Sequence, residues 1–470
     1  MKVEQIYTGC LAEAAYYIHS EGEGVIIDPL RETTPYVERL ENDGVKLKYI
    51  FLTHFHADFV SGHIDLAEKT GATIVFGPTA KANYDFYEAK DNEVFKLGNV
   101  EFVWLHTPGH TMESSTILLK DESGKEHSIY TGDTLFIGDV GRPDLAVKQG
   151  ELTEEDLASH LYDSLRNKIM TLPDDVIVYP GHGAGSACGK KMSKETFDTL
   201  GNQKANNYAL RADMQKDEFI KEVLTGLTAP PQYFPKNVMM NKGVNDSIDE
   251  ILERGTQALT IEEFKGKAEA GALMLDVRHQ SEFVQEHIPG SIFIGLDGNF
   301  APWVGALIRD IDQDIILVVP EGREEEAVTR LSRIGYDHSN GYLQGGLAAW
   351  KAAGNETDSI ETITPEGVAE KMNAEDIHVL DVRKKSEYDS EHLVGAENEP
   401  LDTINFRMNE IDTNKKYYIH CAGGYRSVIF ESILKSRGVH NFVDILGGFS
   451  QIQEKTALAC SEYVCPSTLL

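Results

Sequence analysis

Basic residues are scarce in this 470-residue chain, where 44 Lys and Arg face 76 Asp and Glu for a formal charge of −32. Such a surface repels phosphate backbones and anionic lipid, so nucleic acid and membranes are not expected as partners. Long apolar runs are missing as well. A run such as IILVV at 315–319 is far short of the roughly 20 residues that a helical span requires. The opening MKVEQIYTGC has no continuous apolar stretch of the kind that marks a secretory signal. Cysteine is rare too: Cys10, Cys188, Cys421, Cys460 and Cys465 make an odd set with no CxxC pair. That suits free thiols in a reducing compartment, and a cytoplasmic location is the expectation.

What is present is apolar material for several cores, 41% of the residues, in a chain long enough for about three domains. In the first 200 or so residues, short β-rich runs such as YIFLT, TIVFG, VEFVWL, STILL, SIYTG and VIVYPG alternate with glycine-bearing loops and some helical stretches. This spacing predicts a two-sheet α/β sandwich. Pro230, Pro231 and Pro235 then break regular structure, and the segment AAGNETDSIETIT marks a second boundary. Domains are therefore expected over 1–240, 241–355 and 356–470. The last two are copies: GALMLDVRHQSEFVQEHIPGS is echoed by DIHVLDVRKKSEYDSEHLVGA, and LQGGLAAW by ILGGFSQI. A repeat of about 100 residues is a tandem domain, and its strand–helix alternation predicts a small α/β domain with a parallel sheet.

Four loops in the first domain put His or Asp just after a strand: THFHAD (53–58), HTPGHT (106–111), TGD (131–133) and YPGHG (179–183). One such histidine is most often a packing residue. Four in series point to strand ends converging on one ion, because function concentrates on loops held by a rigid scaffold.

This set resembles the metallo-β-lactamase fold, an αββα sandwich. GDTLFIGDVGRPDL and YPGHGAGSACG resemble the persulfide dioxygenases in particular. The resemblance implies His56, His110 and Asp133 as ligands of one Fe(II) per chain, the facial triad of non-haem oxygenases, with zinc as the alternative. It implies that His54, Asp58 and His182 orient ligands and substrate, Asp58 and His182 as catalytic groups. Arg142 would meet the substrate's carboxylates or form a loop salt bridge, and Cys188 would meet the persulfide or stay inert. The glyoxalase II thioesterases, similar but binuclear, carry HxHxDH, whereas this chain has Phe59 at the last position. An apolar ring cannot coordinate a cation, so a single metal is expected.

In the third domain HCAGGYRS (420–427) follows the strand YYIH and precedes VIFESILKSRG. A six-residue loop from Cys421 to Arg426 ahead of a helix surrounds the sulfur with backbone N–H groups, which favours thiolate and persulfide. With DVR and the Gly-Gly segment, this resembles the rhodanese sulfurtransferases, implying Cys421 and Arg426 as catalytic and Gly423 and Gly424 as substrate-binding. Aligning IILVVPEGREEEAV on the same stretch puts Pro320 at the cysteine position, so the second domain is expected to be inactive. The whole resembles a dioxygenase fused to an inactive and an active rhodanese domain. The implied partners are a low-molecular-weight thiol persulfide, O2 and sulfite or thiosulfate, with self-association left open. A zinc thioesterase fused to a rhodanese sulfur carrier is the alternative.

Overall fold

The computed structural model describes residues 1–147, 151–243 and 245–465, and the chain forms two compact units. One comprises Met1–Ile248 with Ser332–Gly335, the other Asp249–Leu331 with Tyr336–Leu470. Among the described residues no helix is long and apolar enough to cross a membrane.

The first unit is an αββα sandwich. One six-stranded sheet runs Lys2–Thr8, Glu13–Ser20, Glu23–Ile27, Lys46–Phe51, Thr73–Phe76, Tyr87–Glu88 in spatial order. The other runs Asp198–Thr199, Ile177–Pro180, Glu126–Gly132, Ser115–Lys120, Val100–His106, Val94–Leu97. Alternate side chains of each strand point to opposite faces, so each sheet feeds two cores. Tyr16, Ile27, Phe51 and Val75 meet Phe102, Trp104, Ile117 and Tyr130 between the sheets. On the outer faces, Ile26, Ile50 and Ile74 pack against Tyr36, Leu40 and Leu66 of flanking helices, and Ile129 and Val178 against Leu161 and Phe219. Helix Glu154–Ser164 starts where Thr153 and Asp156 satisfy each other's backbone N–H groups in a capping box. Helix His63–Thr70 stops at Gly71, whose φ of 72° is left-handed.

The second unit holds the repeat. Each copy is a five-stranded parallel sheet, Ala258–Leu259, Ser339–Leu343, Ile315–Val318, Leu273–Asp276, Ile292–Phe293 in one and Thr362–Ile363, Phe442–Ile445, Tyr417–His420, His378–Asp381, Ala396–Asn398 in the other. The order is the same in both. The copies touch within this unit: the Tyr425 hydroxyl donates to Gly295 O (2.7 Å), and Phe293 N donates to Ser432 Oγ (3.0 Å).

Sheet register corrects one expectation. Asp276 pairs with Val318, and its counterpart Asp381 pairs with His420. The residue after each partner is Val319 in one copy and Cys421 in the other. Val319, not Pro320, therefore stands at the cysteine position, and the spacing to the Gly-Gly segments agrees: Val319 precedes Gly345 by as many residues as Cys421 precedes Gly447.

Candidate metal centre and sulfur loop

The histidine and aspartate loops converge because parallel and antiparallel strands of both sheets end at one edge of the sandwich. Asp28 follows Glu23–Ile27, Thr53–Asp58 follow Lys46–Phe51, His110 follows Val100–His106, Asp133 follows Glu126–Gly132, and His182 follows Ile177–Pro180. Asp28 anchors the second loop. Its carboxylate accepts from Thr53 N (2.8 Å) and Thr53 Oγ1 (2.7 Å), and Asp28 itself has a left-handed φ of 50°, a strained backbone position for a residue with a Cβ.

Because the Thr53 hydroxyl donates to Asp28, it can only accept from His54 Nδ1, 3.0 Å away. His110 Nδ1 likewise lies 2.9 Å from the Arg142 carbonyl and must donate to it. Both rings are thereby set in the tautomer whose Nε2 carries a lone pair, the arrangement that orients metal-binding histidines. Those nitrogens lie 3.8 Å (His54) and 3.5 Å (His110) from Asp133 Oδ2. Among the described residues, the buried His54 Nε2 and Asp133 Oδ2 find no hydrogen-bond partner. Burial, then His56, pushes the His54 pKa well below the ordinary imidazole value, so the ring is neutral. Two ligands of one tetrahedral ion at bond lengths near 2 Å stand ~3.3 Å apart. The separations here, and the orphaned atoms, fit a cation held by His54, His110 and Asp133, whose ligand atoms all lie within 4.8 Å of one another.

The ligand set expected from sequence thus differs by one residue. His110 and Asp133 are brought together, but with His54 in place of His56. His56 Nε2 is 3.1 Å from Asp28 Oδ1, and its ring lies over Phe59 with centroids 4.3 Å apart. Spacing in HxH does not say which imidazole faces the ion; the Thr53–Asp28 clamp does.

His182 bridges two carboxylates, with Nδ1 2.7 Å from Asp133 Oδ1 and Nε2 2.7 Å from Asp58 Oδ2. Burial opposes its protonation, yet Asp133 and Asp58 outweigh that and raise its pKa well above the ordinary value. At 2.7 Å the His182–Asp58 contact is a close ion pair, shorter than the ~3.3 Å between two ligands of one ion, yet among the described residues His182 Nε2 and Asp58 Oδ1 find no hydrogen-bond partner, and Asp58, His182 and Cys188 form a second buried group of metal-binding side chains. Cys188 Sγ adjoins this pair, within 4.8 Å of the Asp58 and His182 ligand atoms. Burial, then Asp58 and Asp133, pushes its thiol pKa well up, which keeps it protonated.

Arg142 is placed differently from the expectation of a substrate clamp. Its Nε and Nη2 donate to Asp144 (2.7 and 2.6 Å), Nη1 to Ala187 O (3.3 Å) and Nη2 also to Thr228 O (2.6 Å). The fork is occupied by its own loop. What it offers the metal centre is its carbonyl, which holds His110.

In the third domain Cys421 is buried, and its Sγ accepts from Gly424 N at 3.1 Å. Helix Tyr425–Ser436 begins there, and Gly424 has φ 94°, which explains the glycine. Gly423 faces open space. The loop is braced from behind: Phe449 N donates to Cys421 O (2.7 Å), and a Cβ on Gly448 would fall 2.5 Å from that oxygen. Arg426 makes a two-pronged ion pair with Glu387 (2.6 and 2.9 Å), so its guanidinium steadies the loop. Sequence reasoning missed Glu387 and also a buried acid pair beneath the loop, Glu431 and Asp444. Burial pushes Asp444 up to about 7, and burial with the Asp444 carboxyl pushes Glu431 well above its usual value. Two acids on separate elements carry no sequence signal of their meeting.

In the second domain the amide equivalent to Gly424 N is that of Gly322, and it donates to Glu324 Oε1 (3.1 Å). A carboxylate occupies the donor that the sulfur takes in the other copy.

An αββα sandwich with a buried His–His–Asp cluster at its strand ends is the architecture of metal-dependent enzymes built on one superfamily scaffold. The metallo-beta-lactamase superfamily profile matches residues 8–182, and the rhodanese-like domain profile matches 260–353 and 364–455. The chain belongs to the metallo-beta-lactamase superfamily and carries two rhodanese-like domains behind that domain. A crystal structure described as a metallo-beta-lactamase from Staphylococcus aureus superposes with a TM-score of 0.63 at 30% identity, over 73% of this chain and 98% of that one. Human mitochondrial persulfide dioxygenase ETHE1 is 33% identical over 162 residues, 34% of this chain and 59% of the relative. The probable hydroxyacylglutathione hydrolase glo2 of Schizosaccharomyces pombe is 33% identical over 177 residues, 37% and 64%. The chain spans about three fifths of the length of these curated relatives.

Proposed function

We propose that the chain is an iron-dependent persulfide dioxygenase coupled to a sulfurtransferase: RSSH + O2 + H2O gives RSH, sulfite and two protons. The observation that carries this reading is the buried His54–His110–Asp133 cluster in a chain that also holds a rhodanese-type cysteine loop. Against a hydrolytic pair of metals stands Phe59, which removes the histidine donor of the second position and leaves Asp58, His182 and Cys188 there.

Bound to those three side chains, a ferrous ion would supply adjacent open positions for the persulfide sulfur and dioxygen and the electrons for their redox chemistry. Asp28, through Thr53, and Arg142, through its carbonyl, keep both imidazole lone pairs aimed at the ion. The His182 cation holds Asp133 ionised, and the burial of the cluster excludes bulk water. At the third domain, Cys421 takes sulfane sulfur from RSSH, leaving RSH, and gives it to sulfite. Cys–S–SH and SO3²⁻ become Cys–SH and S2O3²⁻. The Gly424 N–H and the helix behind it stabilise the sulfur anion.

The test is oxygen uptake by the full chain loaded anaerobically with Fe(II) or with Zn(II), on several thiol persulfides and on an acyl-glutathione thioester. Uptake with iron alone, and sulfite or thiosulfate as product, is the expected result. Thioester hydrolysis by the zinc form without oxygen uptake by the iron form overturns the reading.

A further inference from the structure

Helix Phe234–Lys242 lies beyond the residues matched by the superfamily profile, yet its end is tied to the metal-binding loop. Asn241 is 2% exposed. Its carboxamide nitrogen donates to both His56 O and Phe59 O at 2.8 Å, and its oxygen accepts from Ser61 N at 2.8 Å. One side chain thus satisfies three backbone groups of a buried loop from about 180 residues away. The helix end is held in turn. Tyr84 Oη donates to Asn241 O (2.7 Å), Asn83 N donates to Lys242 O (2.8 Å), and Lys242 Nζ sits 4.9 Å from the Phe55 ring centroid. With its single proton given to Asn241 O, the Tyr84 hydroxyl can only accept from His63 Nε2 (2.7 Å), and burial keeps His63 neutral, its pKa lowered to about 3.

The clamped stretch, 56–61, starts two residues after His54 and includes Asp58, the partner of His182. Buried backbone carbonyls and amides without partners are destabilising, so without the carboxamide the loop would rearrange to satisfy them. Any such rearrangement moves His54 relative to His110 and Asp133, which are held from other strands. We propose that Asn241 is a positioning residue of the metal centre, and that the helix carrying it is a structural part of that centre although it lies beyond the residues that the superfamily profile matches. The inference rests on the reading of His54, His110 and Asp133 as metal ligands and is independent of the reaction they support.

The experiment titrates the metal-free full chain with Co(II), following the visible absorption of the bound ion, for wild type, Asn241→Leu and Asn241→Asp. Leu keeps the volume and removes all three hydrogen bonds; Asp keeps the acceptor for Ser61 N and removes both donors. The expected result is a 10–100-fold weaker Co(II) affinity, the range for groups that orient ligands, and an altered spectrum at saturation, in protein whose far-ultraviolet circular dichroism is unchanged. A role in stability alone would lower the unfolding midpoint and leave affinity and spectrum as in wild type; that outcome overturns the proposal. Should the Leu variant not fold, the Asp variant decides by the same readout. Wild type that takes up no Co(II) at all would instead overturn the metal-centre reading.

Discussion

His54 and His56 share one loop and face different partners, and a substitution at each separates ligand from neighbour. His54→Ala, like His110→Ala and Asp133→Ala, is expected to abolish metal binding, since each removes one of three donors. His56→Ala removes a contact to Asp28 and should weaken affinity by about tenfold at most while leaving a loadable site. Elemental analysis after loading checks both; equal loss in the two variants would return His56 to the ligand set. A second residue-level expectation concerns Asp444. Its folded-state pKa is raised to about 7 by burial, against an unfolded value near 4. Below about pH 4 both states hold the proton and no penalty arises. As pH rises from there to about 7 the unfolded chain releases it first, and stability falls by up to about 1.4 kcal/mol per pH unit before levelling off. Asp444→Asn removes this term, so the urea midpoint of the rhodanese-like unit should fall less between about pH 5 and pH 7.5 than in wild type. An unchanged slope would refute the buried-acid account.

At the scale of the element, the two strand–loop–helix segments show one backbone plan presenting a thiol in one copy and a carboxylate in the other. Both enter from a parallel strand and turn at a left-handed glycine, Gly322 at φ 81° and Gly424 at φ 94°. The difference lies in what meets the glycine amide: Cys421 Sγ in one, Glu324 Oε1 in the other. The carboxylate also brings negative charge to the loop, which disfavours an anionic persulfide or sulfite there. Thiosulfate:cyanide sulfur transfer by the full chain should therefore fall to background in Cys421→Ser. It should not be recovered by adding Val319→Cys, because Glu324 still holds the amide. Recovery by Val319→Cys alone would show that the missing thiol was the sole defect. Proline at 320, one place on, is secondary to this.

For the whole molecule, the metal cluster and the Cys421 loop reside in separate folded units, so each of the proposed activities should survive loss of the other. Cys421→Ser leaves the metal cluster intact; oxygen uptake should persist, with sulfite accumulating where wild type yields thiosulfate. His110→Ala should lose oxygen uptake and keep sulfur transfer at Cys421. Quantifying sulfite and thiosulfate decides it: thiosulfate at the wild-type rate from Cys421→Ser would mean that sulfite meets persulfide in solution or at another thiol such as Cys188.

The sequence by itself determined the class of each domain, because strand alternation, loop motifs and the repeated DVR and Gly-Gly segments are local patterns that survive without coordinates. The residues it singled out at His110, Asp133 and Cys421 do follow strands, since a chemical group just after a buried strand has little choice of location. Tertiary structure decided the rest, wherever the answer depended on a partner distant in the chain. His54 over His56 depends on Asp28; the fate of Arg142 depends on Asp144 and Thr228; and Asn241 acts on a loop about 180 residues away. Val319 over Pro320 is the exception: strand register sets it, but the equal spacing of Val319 to Gly345 and of Cys421 to Gly447 already carries it in the sequence.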